Sequence, residues 1–160
     1  MKSKSGFTIV ELIVVIVVIG ILAGLSIFSY SKTQADSRDN RRLSIVTTAQ
    51  EALEKYYQKN GEYPPVRNMV NSYSGNTGST VATMLVITPS DLLMPQLPAG
   101  TTNPFTSNAT PTNDNISYIA SDTANNTNCQ TSTTGGCDQY TLKYNKENGG
   151  LTTVSSRHHP

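Results

Sequence analysis

The sequence predicts an α+β fold in which one long N-terminal α-helix packs on a small C-terminal antiparallel β-sheet. Residues 1–63 contain no proline, and their apolar residues recur with a helical period. Three short runs near the C-terminus, at 115–121, 139–145 and 150–156, have the composition of strands. The last two runs are separated by KENGG, which suits a hairpin turn. A chain of 160 residues is long enough for one domain with a modest core.

The first half of the predicted helix has the composition of a membrane-spanning segment. Residues 7–28 form a run of 22 residues in which only Thr8, Glu11 and Ser26 are polar. At ~1.5 Å per residue this helix spans ~33 Å, enough to cross a hydrocarbon core. A cleaved secretory signal is the alternative, but it requires a shorter apolar stretch and a small-residue cut site behind it. Two lysines precede the run, so we expect the N-terminus in the cytoplasm and everything after the run outside.

The second half of the helix, over residues 29–59, is predicted to be amphipathic and to begin a soluble head domain over 29–160. Its apolar residues fall within about half of the helical circumference, and they are Leu43, Ile45, Val46, Ala49, Ala52, Leu53, Tyr56 and Tyr57. The opposite side is assigned Thr47, Thr48, Glu51, Glu54, Lys55 and Gln58. Gly61 suits the residue after a helix and Pro64 cannot continue one, so the helix ends near Lys59.

The stretch from 60 to 114 is predicted to be an irregular loop, because seven of the eight prolines fall within it. One short helix is expected there at 89–94, with Thr88 as its cap and Pro89 at its first position. The C-terminal sheet is placed over 115–156, and the closing RHHP is expected to be solvated.

On the second strand of this sheet, Tyr140, Leu142 and Tyr144 share one face, which is available to pack on the apolar side of the helix.

The N-terminal stretch KSGFTIVELIVVIVVIGILA resembles the N-terminus of a type IV pilin precursor or of the related pseudopilins. The match consists of a short basic leader that ends in Gly6, then Phe7, then Glu11 as the fifth residue after the cut. The resemblance implies that a dedicated membrane peptidase removes the leader, residues 1–6, and methylates the new amino group of Phe7. It also implies assembly into a helical filament through a platform protein and a cytoplasmic ATPase.

Glu11 is the charged residue of the apolar segment, and the resemblance implies a task for it. A carboxylate at membrane depth costs on the order of 3 kcal/mol on insertion scales. After cleavage, Phe7 carries a cationic amine, and pairing with Glu11 of a neighbouring subunit would recover much of the cost of burying both charges. The alternative is a lone Glu11 that reaches back to the headgroup region.

Two further pairs are candidates for structural roles. Gly20 and Gly24 form a small-xxx-small step that permits close helix packing, or they are ordinary glycines of a membrane helix. Cys129 and Cys137 both fall on the predicted outer side, where oxidising surroundings favour a disulfide. Many pilins carry a C-terminal disulfide loop, and this one would be short.

The sequence contains no recognisable catalytic, cofactor or metal motif. No His precedes residue 158, and there is no G-x-S-x-G, phosphate loop or zinc-ligand spacing. We therefore predict no enzyme and no cofactor. One stretch rich in oxygen ligands suits either calcium or, as we favour, ordinary turns, and its members are Asp122, Asn125, Asn126, Asn128 and Asp138.

Two surface features are weaker signals. Sequons at Asn108, Asn115 and Asn125 lie in a Thr-rich stretch and are weak evidence for glycosylation. The basic run from Lys32 to Arg42 suits a solvated helix face or inter-subunit ion pairs, and only weakly suits contact with nucleic acid.

Together these features predict the major subunit of a type IV pilus, inserted in the cytoplasmic membrane before assembly and extracellular afterwards. Adhesion, twitching motility and DNA uptake are the uses that the resemblance implies. The alternatives are a pseudopilin of type II secretion and a membrane-anchored surface binding protein that does not polymerise.

Overall fold

The computed structural model describes residues 6–70, 77–97, 100–123, 127–130 and 136–158. The chain forms two compact units, Met1–Ser37 and Arg38–Pro160. Helix α1 (Ile9–Asn60) contributes residues to both units. The predicted long helix is therefore confirmed, with its start two residues after Phe7 and its end one residue after Lys59. Gly61 follows it with φ +77°, the left-handed conformation that a helix-ending glycine adopts at little cost.

Among the described residues, three short helical segments follow α1 in the second unit. They are α2 (Val66–Met69), α3 (Gly78–Leu85) and a 3₁₀ helix at Pro89–Leu92. The 3₁₀ helix lies where a short helix is predicted, but α2 and α3 lie in the stretch predicted to be irregular. With only eight residues, α3 is too short to produce a clear periodic signal among the surrounding Ser, Thr and Pro residues.

The C-terminal part of the second unit forms a β-sheet. Its strands among the described residues are β1 (Phe105–Thr106), β2 (Ile116–Asp122), β3 (Thr127–Asn128), β4 (Gln139–Lys146) and β5 (Gly150–Ser155). The order is β1-β2-β4-β5, and β3 pairs with β2. The predicted hairpin is confirmed by the β4–β5 register, in which Lys146 pairs with Gly150. The β1–β2 pair is parallel, so the sheet is mostly rather than wholly antiparallel.

The core of the second unit lies between the sheet and the C-terminal half of α1. Tyr140, Leu142 and Tyr144 alternate along β4 and are buried, as their spacing predicts. From α1 the core receives the buried residues Ile45, Val46, Ala49, Ala52 and Leu53. Burial of each large apolar side chain contributes ~1.5–3 kcal/mol, so this contact accounts for much of the head's stability. The α+β fold class is confirmed.

Two residues of α1 were assigned to the wrong side by periodicity. Leu43 is 46% exposed although its spacing predicts the apolar side, and Glu54 is only 6% exposed although its spacing predicts the polar side. Glu54 is buried because two tyrosine hydroxyls and a backbone N–H surround its carboxylate. A helical wheel assumes that carboxylates face water, and it cannot anticipate donors supplied by distant strands.

The disulfide Cys129–Cys137 is present and is joined to the segment that follows α1. The N–H of Tyr63 donates to the carbonyl of Cys137 at 2.7 Å, and the N–H of Val66 donates to the carbonyl of Cys129 at 2.9 Å. Both half-cystines are buried. The bridge and these hydrogen bonds therefore hold Cys129 and Cys137 against the segment that follows α1. Residues 131–135, between the two cysteines, lie outside the described residues.

Candidate assembly site

The N-terminal segment presents the predicted processing site without cover from the described residues of the chain. Gly6 and Phe7 precede the first turn of α1, and Phe7 is 90% exposed. A Cβ built on Gly6 would meet no atom within 4 Å. The rest of the predicted leader, including Lys2 and Lys4, lies outside the described residues.

Glu11 closes a capping box at the start of α1. The N–H and the hydroxyl of Thr8 both donate to Oε2 of Glu11, at 2.9 and 2.7 Å, and the N–H of Glu11 donates to Oγ1 of Thr8 at 3.3 Å. The pattern T-x-x-E is the sequence signature of this motif, so the cap could have been predicted from residues 8–11. Oε2 of Glu11 accepts both hydrogen bonds from Thr8. Among the described residues, none donates to Oε1.

The apolar half of α1 is exposed along its whole described length in the single chain. Large apolar side chains from Ile9 to Leu25 are about half to four-fifths exposed. The helix is long and apolar enough to cross a membrane, and its most apolar window has no buried residue. A surface of this kind requires lipid or other helices as its environment.

Gly20 and Gly24 lie within this exposed surface. A Cβ built on either glycine would meet no atom within 4 Å, so no contact with the described residues requires glycine there. The small-xxx-small step stays a prediction for contacts between chains.

A buried carboxylate in the second unit joins four segments of the chain. Oε2 of Glu54 accepts from the hydroxyl of Tyr63, and Oε1 accepts from the hydroxyl of Tyr140, each at 2.9 Å. Oε1 also accepts from the N–H of Arg157 at 3.0 Å. Burial, followed by the hydrogen bonds to Glu54, raises the pKa of both tyrosines far above the ordinary value, so their hydroxyls remain donors at any physiological pH.

The start of the C-terminal tail is exposed, as predicted, and it also contacts the head. Besides the bond from Arg157, the ring of His158 stacks on Tyr57 with centroids 4.9 Å apart, and its Nε2 lies 3.7 Å from Oε2 of Glu54. Residues 159 and 160 lie outside the described residues. The tail is held because it supplies a donor to a carboxylate that burial has removed from water.

A second polar cluster fastens the β4–β5 turn to α1. Arg38 makes a two-pronged contact with Glu147 at 2.6 and 2.7 Å, and Arg42 donates to Glu147 at 2.9 Å and to Asp39 at 2.7 Å. Arg42 is completely buried. These arginines, led by the hydrogen bonds from Arg38, lower the pKa of Glu147 to about 2. Both were expected to face solvent, a neighbouring subunit or nucleic acid, and the structure pairs them within the head instead.

The other predicted surface features show no assembled site in the described part of the chain. Asp138 accepts from the N–H and the hydroxyl of Thr123, which is the turn role favoured for this stretch. Among the described residues, no group of three or more His, Cys, Asp or Glu is arranged to hold a metal ion. Asn108 is exposed and Asn115 is partly buried, whereas Asn125 and Asn126 lie outside the described residues.

These features define a class: a chain with a prepilin-type N-terminus, an apolar helix long enough to cross a membrane and a pilin-like α+β head. Residues 1–27 match the family model described as the prokaryotic N-terminal methylation motif, and the predicted resemblance to pilins and pseudopilins is thereby confirmed.

Curated proteins with similar sequences have names of the same kind. The fimbrial protein EcpC of Eikenella corrodens is 29% identical over 98 residues, which cover 52% of this chain and 64% of the relative. A fimbrial protein of Neisseria meningitidis is 30% identical over 80 residues, covering 50% of this chain and 42% of the relative. The type II secretion system core protein G of Aeromonas hydrophila is 33% identical over 63 residues, covering 39% and 44%.

The chain thus spans less than two thirds of the length of each of these relatives. No solved structure matches the chain.

Proposed function

We propose that this chain is a structural subunit, and specifically the major pilin, of a type IV pilus. The observation that carries the proposal is a prepilin methylation motif on an apolar helix whose surface is exposed in the single chain. The similarity to fimbrial proteins supports the same role. The role is structural, and we assign no catalytic step, cofactor or metal to the chain.

In the proposed pathway, the membrane-inserted precursor is cut between Gly6 and Phe7 by a prepilin peptidase, which also methylates the amine of Phe7. An assembly platform protein and its ATPase then move subunits from the cytoplasmic membrane into an extracellular filament. The exposure of Gly6 and Phe7 supports access of the peptidase to this bond. The leader 1–6, the membrane segment 7–28 and the head 29–160 are the proposed divisions of the chain.

We propose that filament packing buries the apolar helices against one another, with Glu11 of one subunit paired to the Phe7 amine of the next. The geometry at Thr8 supports this pairing, because the capping hydrogen bonds occupy Oε2 and leave Oε1 for an incoming ammonium group. An isolated charge in such a bundle costs several kcal/mol, and a mutual pair offsets much of that cost. The pairing would set the axial stagger of neighbouring subunits.

A pseudopilin of type II secretion is the second candidate, supported by the similarity to core protein G of Aeromonas hydrophila. Both candidates share the processed N-terminus and the packed apolar helices. They differ in the product, which is a long surface filament for the pilin and a short periplasmic one for the pseudopilin.

The deciding experiment is to shear surface filaments from cells that express the chain, and to identify their subunits by gel and mass spectrometry. We expect long filaments made mainly of this chain, with an N-methylated Phe7 as the first residue. Removing six of the 160 residues leaves a mature chain of 154. Absence of the chain from sheared filaments, with the processed protein retained in the envelope, would favour the pseudopilin.

A further inference from the structure

A groove of about 400 Å³ lies between the last turns of α1 and the C-terminal end of α3. From α1 it is lined by Ala52 and Tyr56, and from α3 and the following turn by Met84, Val86 and Ile87. Its volume falls within the ~300–1,000 Å³ of protein binding pockets, and most of these lining residues are apolar. The groove belongs entirely to the second unit.

Val86 gives this groove an unusual edge. It ends α3 in the left-handed conformation, with φ +57° and ψ +47°, and its side chain is 83% exposed. Glycine normally takes this position because a β-branched residue is strained there. Val86 therefore retains a strained backbone while it leaves an apolar side chain in water, a combination that points to a contact made outside the single chain.

The rim of the groove carries charged groups that can form hydrogen bonds with the backbone of a bound segment. Glu51, Lys55 and Lys59 line it from α1 and are exposed. In the part of the chain that the structure describes, neither lysine has a carboxylate within 4.0 Å. The rim thus offers two sets of ammonium donors and one carboxylate acceptor.

A complementary feature lies at the free edge of the sheet. Leu151 is 51% exposed on β5, directly after Gly150 of the hairpin turn, and it faces away from the side that carries Tyr140. The N–H of Ser156 donates to the carbonyl of Tyr140, so these two residues form a hydrogen-bonded pair of the β4–β5 ladder. Hydrogen-bonded and non-hydrogen-bonded pairs alternate along an antiparallel ladder, so the N–H and C=O groups of Leu151 and Thr153 point away from β4. The β5 edge therefore presents both the exposed apolar side chain of Leu151 and backbone N–H and C=O groups that point away from β4.

We propose that the groove of one subunit receives Leu151 and the β5 edge of a second copy of this chain. Leu151 fills the apolar floor and covers Val86, while Lys55 and Lys59 donate to β5 carbonyls. A contact between two different patches is heterologous, and heterologous contacts form either closed rings or open helical filaments, the second of which suits a pilus. The inference rests on the proposed polymer and adds to it a contact between heads, separate from the packing of the apolar helices.

The test is a cysteine pair in the full-length chain, expressed in cells that assemble filaments. Both native cysteines are bonded to each other, so new cysteines at Val86 and Leu151 are the free thiols of the described chain. We expect Val86→Cys/Leu151→Cys filaments to shift, after mild oxidation, from monomers to a ladder of dimers, trimers and higher species on a non-reducing gel. The two single variants and the pair Leu93→Cys/Leu151→Cys, whose first position is exposed outside the groove, should remain monomeric.

The outcomes separate this inference from the proposed function. If the Val86→Cys/Leu151→Cys variant forms normal filaments but no ladder, the proposed contact is wrong, whereas the proposed polymer is not affected. The groove would then bind something other than the β5 edge. A dimer band from Val86→Cys alone would replace it with a symmetric contact. If cells that express the wild-type chain yield no filaments, the proposed polymer fails and the contact between heads fails with it. Peptide mapping of the Cys129–Cys137 bridge checks that each variant is folded.

Discussion

The hydroxyl of Thr8 lies 2.7 Å from Oε2 of Glu11, and the two residues cap the first turn of α1 together. The carboxylate thus has one task inside the chain in addition to the one proposed between chains. The two tasks depend on different properties, since a cap needs an acceptor whereas pairing with an amine needs a negative charge. Substitutions at the two residues can therefore separate them.

Glu11→Gln should insert and be processed normally but assemble poorly. Glutamine retains the capping acceptor, whereas the neighbour's buried amine loses its counter-charge at a cost of ~3–5 kcal/mol. Thr8→Val, the matched control, removes the cap at a cost of ~1 kcal/mol and keeps the charge, so filaments should persist. The measurement is the number of filaments per cell at equal membrane levels. Normal filaments that contain Glu11→Gln in proportion to its expression would contradict the pairing.

Gly6→Leu should block removal of the leader. The peptidase must bring its catalytic groups against the backbone at the bond before Phe7, and a side chain at Gly6 obstructs that approach. Intact-mass measurement should find 160 residues in the variant and 154 plus one methyl group in the wild type, since six residues are removed. Ser3→Leu, in the same leader, should be processed normally.

Replacing both Cys129 and Cys137 by Ser should lower the free energy of unfolding of the head by ~2.5 kcal/mol, as the chain-entropy model gives for a loop of this length. The loss should appear as a lower unfolding midpoint in thermal scans of the full chain in detergent. Reduction of the wild type should reproduce it. Membrane insertion should not change, because the bridge lies in the second unit. Identical unfolding midpoints for the reduced and the oxidised protein would show that the disulfide does not stabilise the head.

Tyr140→Phe should destabilise the head by ~1.5–3 kcal/mol, the usual worth of a hydrogen bond to a charged group. The hydroxyl of Tyr140 donates to Oε1 of the buried Glu54, and water cannot easily replace it there. Tyr30→Phe, at an exposed position, is the matched control and should have no effect. Denaturant unfolding of the full chain measures both, and equal midpoints would show that Glu54 does not need this donor.

The head should lose stability on acidification below about pH 4.5. The hydrogen bonds from Arg38 and Arg42 lower the pKa of Glu147 in the folded head to about 2 from its ordinary value of 4.5. Its contribution to stability is therefore present above the unfolded pKa and is lost as pH falls toward 2. Glu147→Gln should be less stable at pH 7 and should show a shallower decline between pH 5 and 2. A decline equally steep in wild type and variant would assign the acid sensitivity to other carboxylates.

The N-terminal half of the chain could be predicted well because its signals are local. The run from Ile9 to Leu25 is apolar on nearly every side of the helix, and the spacing of Gly6, Phe7 and Glu11 is a linear motif that does not depend on contacts in the head. The β4–β5 hairpin could be predicted for the same reason, since alternation and the KENGG turn are properties of adjacent residues.

What the sequence by itself determined, then, is the apolar segment, the N-terminal methylation motif, the long helix and the hairpin. Only the tertiary structure decided that Glu54 is buried, that Arg42 is enclosed and that Leu43 and Val86 remain in contact with solvent. The physical reason is that the environment of each of these side chains depends on groups far away in the chain. Glu54 is 86 residues from the Tyr140 hydroxyl that makes its burial tolerable, and Arg42 is 105 residues from Glu147. Periodicity assigns a face of a helix, but only the folded chain supplies the partners that make a charge stable inside it.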